Sequence, residues 1–438
     1  MKTDKLLIRN ARIINPESGL DGVGSIYVED GTVSRILMSE KGAGTDSGDI
    51  PVISDDTAII DADGLIAAPG LIDIHVHFRD PGQTHKEDID TGSACAAAGG
   101  FTSVVMMANT SPSVDNADTL SYVLDKAAKQ NIHVYAAAAV SKGLKGESLT
   151  DYEKLADMGA VGFTDDGIPL MDADLLREAM LRIKQLNMPI SLHEEDPNLI
   201  ENSGVNAGVV AAKLGLGGAS REAEYTLIDR DIQIGIETGV IVNIQHISSS
   251  EGVELVRRAR AEHDNIHAEA TPHHFTLTQD AVLKHGTLAK MNPPVREEAD
   301  RLSVIKGLQD GTIELIATDH APHAKEEKDR EFTKAPSGII GLETSLALGI
   351  TELVKKGYLS YSQLIEKMSL NPARLYNLNA GRLGIGCVAD IVLFDPDEEW
   401  IADEYVSKSS NTPFTGMKLT GRVKYTITDG RIVYSHNS

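Results

Sequence analysis

Two histidines lie two positions apart, at His75 and His77, within a mostly apolar run of the chain. In an extended strand the side chains of residues i and i+2 point to the same face, so these two imidazoles would project side by side. Imidazole is the commonest protein ligand of zinc-like metals. The pair therefore predicts part of a metal site, and the alternative interpretation is two core histidines whose hydrogen bonds are satisfied.

Further polar residues follow other apolar segments at the points where those segments end. They are Arg79, Asn109, Asp165, Asp166, His193, His246 and Asp319. In a barrel of parallel strands the carboxyl ends all meet at one face, where barrel enzymes assemble their active sites. A shared face would bring these side chains together although they are remote along the chain.

These residue types fit a site for two metal ions. The predicted imidazole ligands form two pairs, His75 with His77 and His193 with His246. A carboxylate at Asp165 or Asp166 would bridge the ions, and two ions about 3.5–4 Å apart can act on one scissile bond. Asp319 is placed to move a proton between water and a leaving nitrogen, and its alternative role is that of a helix N-cap.

Eight strand-like segments position these residues, and helical patterns separate the segments. The strands are predicted over Ile72–Phe78, Thr102–Asn109, His133–Val140, Val161–Asp165, Pro189–Glu194, Ile241–Ile247, Ile266–Thr271 and Ile313–Thr318. The helices are predicted over Lys86–Ala98, Asp115–Lys129, Asp151–Met158, Asp172–Leu186, Ser220–Thr238, Glu251–Ala261, Arg296–Gln309, Gly341–Val354 and Ser362–Met368. Strands that alternate with helices pair in parallel, and eight such units predict an α/β fold, the (β/α)8 TIM barrel.

Short strands and turns flank this region at both ends of the chain. Towards the N-terminus they are Leu6–Ile14, Ser25–Val28, Thr32–Leu37 and Thr57–Ile60, with a loop over Gly42–Asp49. Towards the C-terminus they are Ala389–Phe394, Val423–Thr428 and Arg431–Tyr434, the last two joined by a hairpin turn at Asp429-Gly430. We therefore predict a small β domain built from residues 1–68 and 382–438, beside a barrel domain of residues 69–381.

The composition excludes several classes of partner. The chain has 438 residues, with 41 Lys and Arg against 65 Asp and Glu, and a net charge of -24. So acidic a protein is not expected to bind nucleic acid or anionic membranes, although a local cationic pocket for an anionic substrate is still allowed. Cys95 and Cys387 are the only cysteines. Neither a signal peptide nor an apolar run of about 18 residues occurs, so a cytoplasmic protein is expected.

Several motifs match those of a known family in order along nearly the whole chain. They are His75-Val76-His77-Phe78-Arg79-Asp80-Pro81-Gly82, Ala108-Asn109-Thr110, Phe163-Thr164-Asp165-Asp166-Gly167, Ser191-Leu192-His193-Glu194-Glu195-Asp196, Gln245-His246-Ile247-Ser248, Thr271-Pro272-His273-His274, Lys290-Met291-Asn292-Pro293-Pro294, Ala317-Thr318-Asp319-His320-Ala321-Pro322-His323 and Asn411-Thr412-Pro413-Phe414. The set resembles the amidohydrolase superfamily, and within it the class I dihydroorotases of bacteria. Many other members bridge their metals with a carbamylated lysine after the fourth strand, where this chain has Asp165 and Asp166.

The resemblance implies a zinc enzyme that interconverts N-carbamoyl-L-aspartate and L-dihydroorotate in pyrimidine biosynthesis. The implied metal ligands are His75, His77, His193, His246, Asp166 as the bridge, and Asp319, which is also the general acid/base. The implied substrate contacts are Arg79, Asn109, His323 and Asn292. A guanidinium fork suits a carboxylate. One or two Zn2+ ions per subunit are implied, with two favoured, and a homodimer is one expectation for the assembly.

Three other functions compete with this interpretation. The first is another cyclic amide hydrolase of the hydantoinase or allantoinase type. The second is a non-catalytic dihydroorotase-like partner, against which stands the presence of every proposed ligand. The third is a binding or structural protein with a barrel fold.

The remaining motifs receive structural interpretations. His273 and His274 are expected on alternating faces of an extended segment, with at most one of them pointing inward. Five further histidines are expected at the surface or in packing, at His85, His133, His263, His267 and His285. The charged stretch 324–336 is a candidate mobile cover over the site.

Overall fold

The computed structural model describes residues 5–39 and 57–436. Their strands form two sheets of eight strands each. In chain order the strands are β1 (Lys5–Asn15), β2 (Leu20–Glu29), β3 (Thr32–Met38), β4 (Ala58–Asp61), β5 (Ile66–Pro69), β6 (Leu71–Val76), β7 (Phe101–Met106), β8 (His133–Ala139), β9 (Gly162–Thr164), β10 (Pro189–Leu192), β11 (Ile241–Ile244), β12 (Ile266–Ala270), β13 (Leu315–Ile316), β14 (Ile391–Ile401), β15 (Lys418–Thr428) and β16 (Arg431–Ser435).

Strands β6 to β13 form a nearly closed barrel. They lie side by side in chain order, and each neighbouring pair is parallel. The ring is completed beyond β13, where Val76 bridges to His320 and the His77 amide donates to the His320 carbonyl at 2.9 Å. The eight predicted strands and the TIM barrel are therefore confirmed.

Helices follow the barrel strands and cover their outer faces. They are α1 (Ile89–Ala98), α2 (Ala117–Ala127), α3 (Tyr152–Asp157), α4 (Ala173–Gln185), α5 (Val209–Lys213), α6 (Glu222–Thr238), α7 (Ser250–Arg260), α8 (Pro272–Thr276), α9 (Asp280–His285), α10 (Glu298–Asp310), α11 (Lys325–Lys328), α12 (Leu342–Leu348), α13 (Tyr361–Ile365) and α14 (Asn371–Leu375). Each of the nine predicted helical segments corresponds to one of them. Side chains cap several starts, as Asp88 does for α1 and Ser249 for α7. The five helices that were not predicted are α5, α8, α9, α11 and α14, each four to six residues long.

The second sheet, here called the terminal sheet, combines both ends of the chain. Its order is β16-β15-β14-β5-β1-β2-β3, with β4 paired to β1. The antiparallel pair of β5 and β14 joins the N-terminal strands to the C-terminal ones, for example through Ala68 and Val392. This confirms the predicted pairing of distant segments, although β5 itself was missed. The predicted loop Gly42–Asp49 lies outside the described residues, and the division at residues 68/69 and 381/382 stays a prediction.

Each sheet has a hydrophobic core of its own. Ile8, Ile26 and Leu393 belong to the core of the terminal sheet, whereas the largest cluster fills the space between the barrel and its helices. Cys95 and Cys387 are free thiols. Among the described residues, no helix is long and apolar enough to span a bilayer.

Candidate metal centre and active site

Six of the predicted site residues converge at the carboxyl ends of the barrel strands. His75 lies near the end of β6, and five others follow the ends of β6, β9, β10, β11 and β13: His77, Asp166, His193, His246 and Asp319. All six side chains are buried. The barrel topology thus brings together residues that are more than two hundred positions apart.

The Asp166 carboxylate lies at the centre of this group. Its Oδ1 is 3.3 Å from His75 Nε2, 3.7 Å from His193 Nδ1 and 3.9 Å from His246 Nε2, and its Oδ2 is 3.5 Å from His77 Nε2. Two triads of donor atoms share it, one with His75 and His77 and one with His193 and His246, and within each triad the atoms lie within 4.8 Å of one another. The triads reproduce the two histidine pairs predicted from the sequence.

The neighbouring Asp165 has different contacts. Its Oδ1 accepts the His193 amide at 2.9 Å, and its Oδ2 accepts the Leu170 amide at 2.8 Å. Burial raises the pKa of Asp165 to about 7. Because both oxygens are used by main-chain donors of loops, Asp165 shapes the backbone, and Asp166 is the carboxylate that faces the histidines.

The donor set fits a zinc-like metal, because acceptors behind His75 and His77 bind one ring nitrogen of each and the other nitrogen points into the cluster. His75 Nδ1 lies 2.5 Å from Glu269 Oε1, and His77 Nδ1 lies 2.8 Å from Asn109 Oδ1. Acceptors in these positions favour a proton on Nδ1 and leave Nε2 of each ring as the atom that could bind a metal ion. Among the described residues, His75 Nε2 has no hydrogen-bond partner although it is fully buried.

Carboxylates behind the histidines add to this fit. Glu269 is itself fixed by the Asn243 amide, which donates to its Oε2 at 2.9 Å, and Glu195 Oε2 lies 3.3 Å from His193 Nε2. Burial opposes a charge on His75, but the Glu269 and Asp166 carboxylates outweigh burial and raise the pKa of His75 well above its usual value. A proton and a metal ion therefore compete for His75 Nε2, and the same carboxylates favour either positive charge.

Glu269 and Glu195 were missed by the sequence reasoning. Glu269 lies inside β12, and its side chain is wholly buried. A glutamate within an otherwise buried strand needs a partner, because a buried unpaired charge is costly. That rule is the signal by which Glu269 could have been found.

Asp319 lies against the same histidines on the cavity side. Its Oδ1 is 2.9 Å from His77 Nε2 and 3.6 Å from His75 Nε2. Its backbone φ is +49°, and Arg79 and His246 also have positive φ values, of +59° and +35°. Such backbone conformations are costly for residues other than glycine and concentrate at functional sites.

A cavity of about 180 Å³ opens beside the cluster, and the four predicted substrate contacts line it: Arg79, Asn109, Asn292 and His323. Arg79 Nη2 lies 3.4 Å from His323 Nε2, and Asn109 Nδ2 donates to Asp166 Oδ2 at 2.9 Å. Burial and the nearby cations, Arg79 first, lower the pKa of His323 to about 2, so this imidazole is neutral. The cavity thus has metal-ligand groups on one side and a cation with a neutral imidazole on the other.

The predicted alternation of His273 and His274 between two faces was wrong, whereas their structural interpretation is not contradicted. Both belong to helix α8, and both are buried, at 2% and 3% exposure. His274 Nδ1 lies 2.8 Å from Thr271 Oγ1, and its Nε2 lies 3.0 Å from the Pro293 carbonyl. Thr271 and Pro272 begin a helix here, so consecutive side chains do not alternate as they would in a strand.

Comparisons with known proteins agree with this geometry. A sequence profile described as the amidohydrolase family matches residues 66–433. A protein of Clostridioides difficile (strain 630) named dihydroorotase is 55% identical over 430 residues, which is 98% of this chain and 100% of that protein. A dihydroorotase of Clostridium acetobutylicum is 49% identical over 431 residues, covering 98% of this chain and 99% of the relative.

Solved structures share the fold at lower sequence identity. An L-hydantoinase (dihydropyrimidinase) from Arthrobacter aurescens superposes with a TM-score of 0.85 at 25% identity, covering 99% of this chain and 96% of the other. A D-hydantoinase superposes with a TM-score of 0.83 at 22% identity, covering 98% and 95%, and shows the fold alone.

Proposed function

We propose a function from the premise that this chain belongs to the amidohydrolase family and, within it, to the dihydroorotases. The proposed function is the interconversion of N-carbamoyl-L-aspartate and L-dihydroorotate. The enzyme is a cyclic amidohydrolase. One observation carries the assignment from family to site: four imidazoles and two carboxylates meet at the mouth of the barrel beside a cavity that is lined by the half-buried guanidinium of Arg79.

The proposed metal is zinc, with two ions per subunit. The first triad, His75, His77 and Asp166, would hold one ion, and the second, Asp166, His193 and His246, would hold the other. When bound, zinc polarises the amide carbonyl and lowers the pKa of the attacking water. Asp319 completes the proposed ligand set because its carboxylate lies against the first pair of histidines.

Asp319 is the proposed proton carrier. In the hydrolytic direction its carboxylate accepts a proton from the attacking water as the new C–O bond forms. The same group then gives that proton to the ring nitrogen as the C–N bond breaks, which leaves a neutral carbamoyl amide. In the biosynthetic direction the steps reverse, so Asp319 takes the proton from the carbamoyl nitrogen and returns it to the departing water.

The opposite wall of the cavity is proposed to bind the substrate carboxylate. Arg79 offers a charged fork of N–H donors, and Asn109 and Asn292 add amide groups. His323 is neutral and therefore adds a polar contact without a further charge. The carboxylate would hold the ring with its reacting amide towards the metal ligands.

The competing functions are less well supported. The hydantoinases share the fold, but at 25% identity or less, whereas the relatives at 49–55% identity are dihydroorotases. Strand β9 ends at Thr164 and runs into Asp165 and Asp166, so no lysine is available there for carbamylation. A non-catalytic partner would not need six convergent ligand groups.

The test compares substrates and metal together. Protein purified without added metal is analysed for zinc and assayed with dihydroorotate, hydantoin and allantoin. We expect two zinc ions per chain and turnover of dihydroorotate far above that of the other two amides. Preference for hydantoin or allantoin would contradict the proposal. So would a protein that is purified without zinc, is inactive, and stays inactive when zinc is added.

We also propose a cytoplasmic location and a homodimer. Sedimentation measures the oligomeric state.

A further inference from the structure

Two lysines near the active site are buried without carboxylate partners. Lys290 and Lys328 are 3% and 2% exposed. Lysine is almost never fully buried unless its charge is compensated. Within the described part of the chain neither ammonium group forms an ion pair, and both donate to main-chain carbonyls instead. Burying two lysine amino groups without a carboxylate partner costs free energy, so packing alone does not explain the arrangement.

The carbonyls that bind the two lysines belong to one stretch of chain, residues 329–338, here called the wall segment. Lys290 Nζ donates to the Phe332 and Ala335 carbonyls, each at 2.7 Å. Lys328 Nζ donates to the Pro336 and Gly338 carbonyls, each at 2.9 Å. Hydrogen bonds from a charged donor are roughly twice as strong as neutral ones. The two ammonium groups therefore anchor a segment without regular secondary structure at four points.

The wall segment ends in the active-site cavity. Ser337 and Gly338 line the cavity, and the Ser337 carbonyl lies 2.8 Å from His323 Nε2. Because a carbonyl oxygen can only accept, the single N–H of the neutral His323 ring lies on Nε2 and donates to Ser337, which fixes both the tautomer and the ring. Gly338 has a φ of +119°, and a Cβ there would lie 3.3 Å from His323 Nε2, so the segment passes close to the ring.

The same lysines connect the opposite loop of the cavity. Lys290 lies two residues before Asn292, and its own carbonyl accepts the Gly338 amide at 2.9 Å. Lys328 Nζ also lies 3.4 Å from that carbonyl. The wall segment and the Asn292 loop therefore form one unit that the two ammonium groups hold together.

Lys328 also adds positive charge beside the cavity, although burial lowers its pKa to about 7 and the charge is therefore partial near neutral pH. Although the protein carries a net charge of -24, three cations act electrostatically on His323, namely Arg79, Lys86 and Lys328. Lys86 is compensated by Glu327 at 3.1 Å, whereas Lys328 is bound only by carbonyls. A local cationic field of this kind concentrates an anionic ligand.

We propose that Lys290 and Lys328 are positioning residues for the substrate, which hold the wall segment and the Asn292 loop so that His323 and Asn292 meet the anionic end of the substrate. The proposal rests on the proposed function of the cavity and assigns to it two groups that touch neither the metal ligands nor the substrate. The lysines act through the Ser337 carbonyl and the Lys290 main chain. Their loss is expected to weaken substrate binding and to leave the chemistry at Asp319 intact.

The experiment uses Lys328→Met in the full-length zinc enzyme. We expect hydrogen exchange of amides 329–338 to become faster, and KM for dihydroorotate to rise about tenfold while kcat changes less than about twofold. Lys328→Arg, which keeps the charge and the N–H donors, should recover most of the lost affinity. Lys290→Gln is the second variant, and it carries the same expectations should Lys328→Met not fold.

Lys284→Met is the matched control, because Lys284 is an exposed lysine on the short helix α9, outside the wall segment. It should leave exchange, KM and zinc content unchanged. Unaltered exchange and KM in Lys328→Met and Lys290→Gln would overturn the inference, as would equal losses of kcat and zinc. Hydrogen exchange is measured without substrate. It therefore tests whether the lysines anchor the wall segment even if the wild type does not turn over dihydroorotate.

Discussion

At the scale of single residues, the role of each acid follows from what surrounds it. Asp166 and Asp165 are adjacent, yet one faces four imidazoles and the other accepts two main-chain amides. Their different tasks come from the direction of the side chain, since both are aspartates and both are buried. Asp319 faces the cavity from the opposite side of the histidines.

Asp319→Asn tests the proposed proton carrier. The amide preserves the shape of the side chain but cannot accept the proton, so turnover of dihydroorotate should fall by about 10³-fold, while zinc content changes much less. Steady-state kinetics and metal analysis are measured on the same preparation. Asp174→Asn, at an exposed position on α4, is the control. Near-normal turnover in Asp319→Asn would reject the assignment.

Glu269→Gln tests whether the acid behind His75 tunes the metal site. The neutral amide no longer favours the tautomer with a proton on Nδ1, so zinc affinity should fall by about 10- to 100-fold. Competition with a chelator measures the change. Glu314→Gln is matched to it, because Glu314 also contacts a histidine, His267, but outside the site. Equal zinc affinities in the two variants would refute the role of Glu269.

At the scale of elements, the junction between the two sheets is one residue long. Gly70 lies between β5 of the terminal sheet and β6 of the barrel. Its amide donates to the Asp390 carbonyl at 2.9 Å, and its carbonyl accepts Ser369 Oγ at 2.7 Å. The direction of β6, and hence the positions of His75 and His77, depends on how Gly70 joins the two strands.

Gly70→Ala should therefore destabilise the protein through crowding. A Cβ at this position would lie 2.2 Å from Thr102 Oγ1, and Thr102 is fully buried. We expect the free energy of unfolding to fall by about 1–3 kcal/mol, as for other overpacked sites, which a urea titration can measure. At Gly384 a Cβ meets only Cys387 Sγ, at 3.5 Å, so Gly384→Ala is the control. If Gly70→Ala lost no more unfolding free energy than Gly384→Ala, the residues around Gly70 would be able to move and make room for the added methyl group.

At the scale of the whole molecule, an ionic contact ties the barrel to the terminal sheet away from the active site. His133 begins β8, and its Nε2 lies 3.1 Å from Asp390 Oδ2 and 3.8 Å from Asp429 Oδ1. The hydrogen bond with Asp390 raises the pKa of His133 above its usual value, against the effect of burial. The contact joins segments more than 250 residues apart.

This contact predicts a pH dependence of stability. A histidine whose pKa is raised by folding stabilises the native state fully below its unfolded pKa of about 6.5, and that contribution is lost as pH rises through the folded value. The midpoint of urea unfolding should therefore fall between about pH 6 and pH 8 in the wild type, and fall less in His133→Gln. His263→Gln, outside this contact, should behave as the wild type. Parallel profiles for His133→Gln and the wild type would contradict the role of the pair.

Local patterns in the sequence determined the framework of this protein. The alternation of apolar strands and helices predicts the barrel, because side-chain periodicity is set by each element's own geometry. The positions of His75, His77, His193 and His246 at strand ends follow from the same periodicity, whereas the resemblance to a known family rests on the residue types and order of their motifs. The association of the two chain ends in one sheet was an inference from the short strands and turns at both ends, which the structure confirms.

Only the tertiary structure decided which groups meet. It directs Asp166 rather than Asp165 towards the histidines, and it places Glu269 behind His75. It folds Pro272–Thr276 into a helix and brings Lys290 and Lys328 to the same stretch of carbonyls. These features depend on contacts between residues distant in the chain, whose energies no local periodicity encodes. A side chain's neighbours, and therefore its charge state and task, exist only once the barrel has closed.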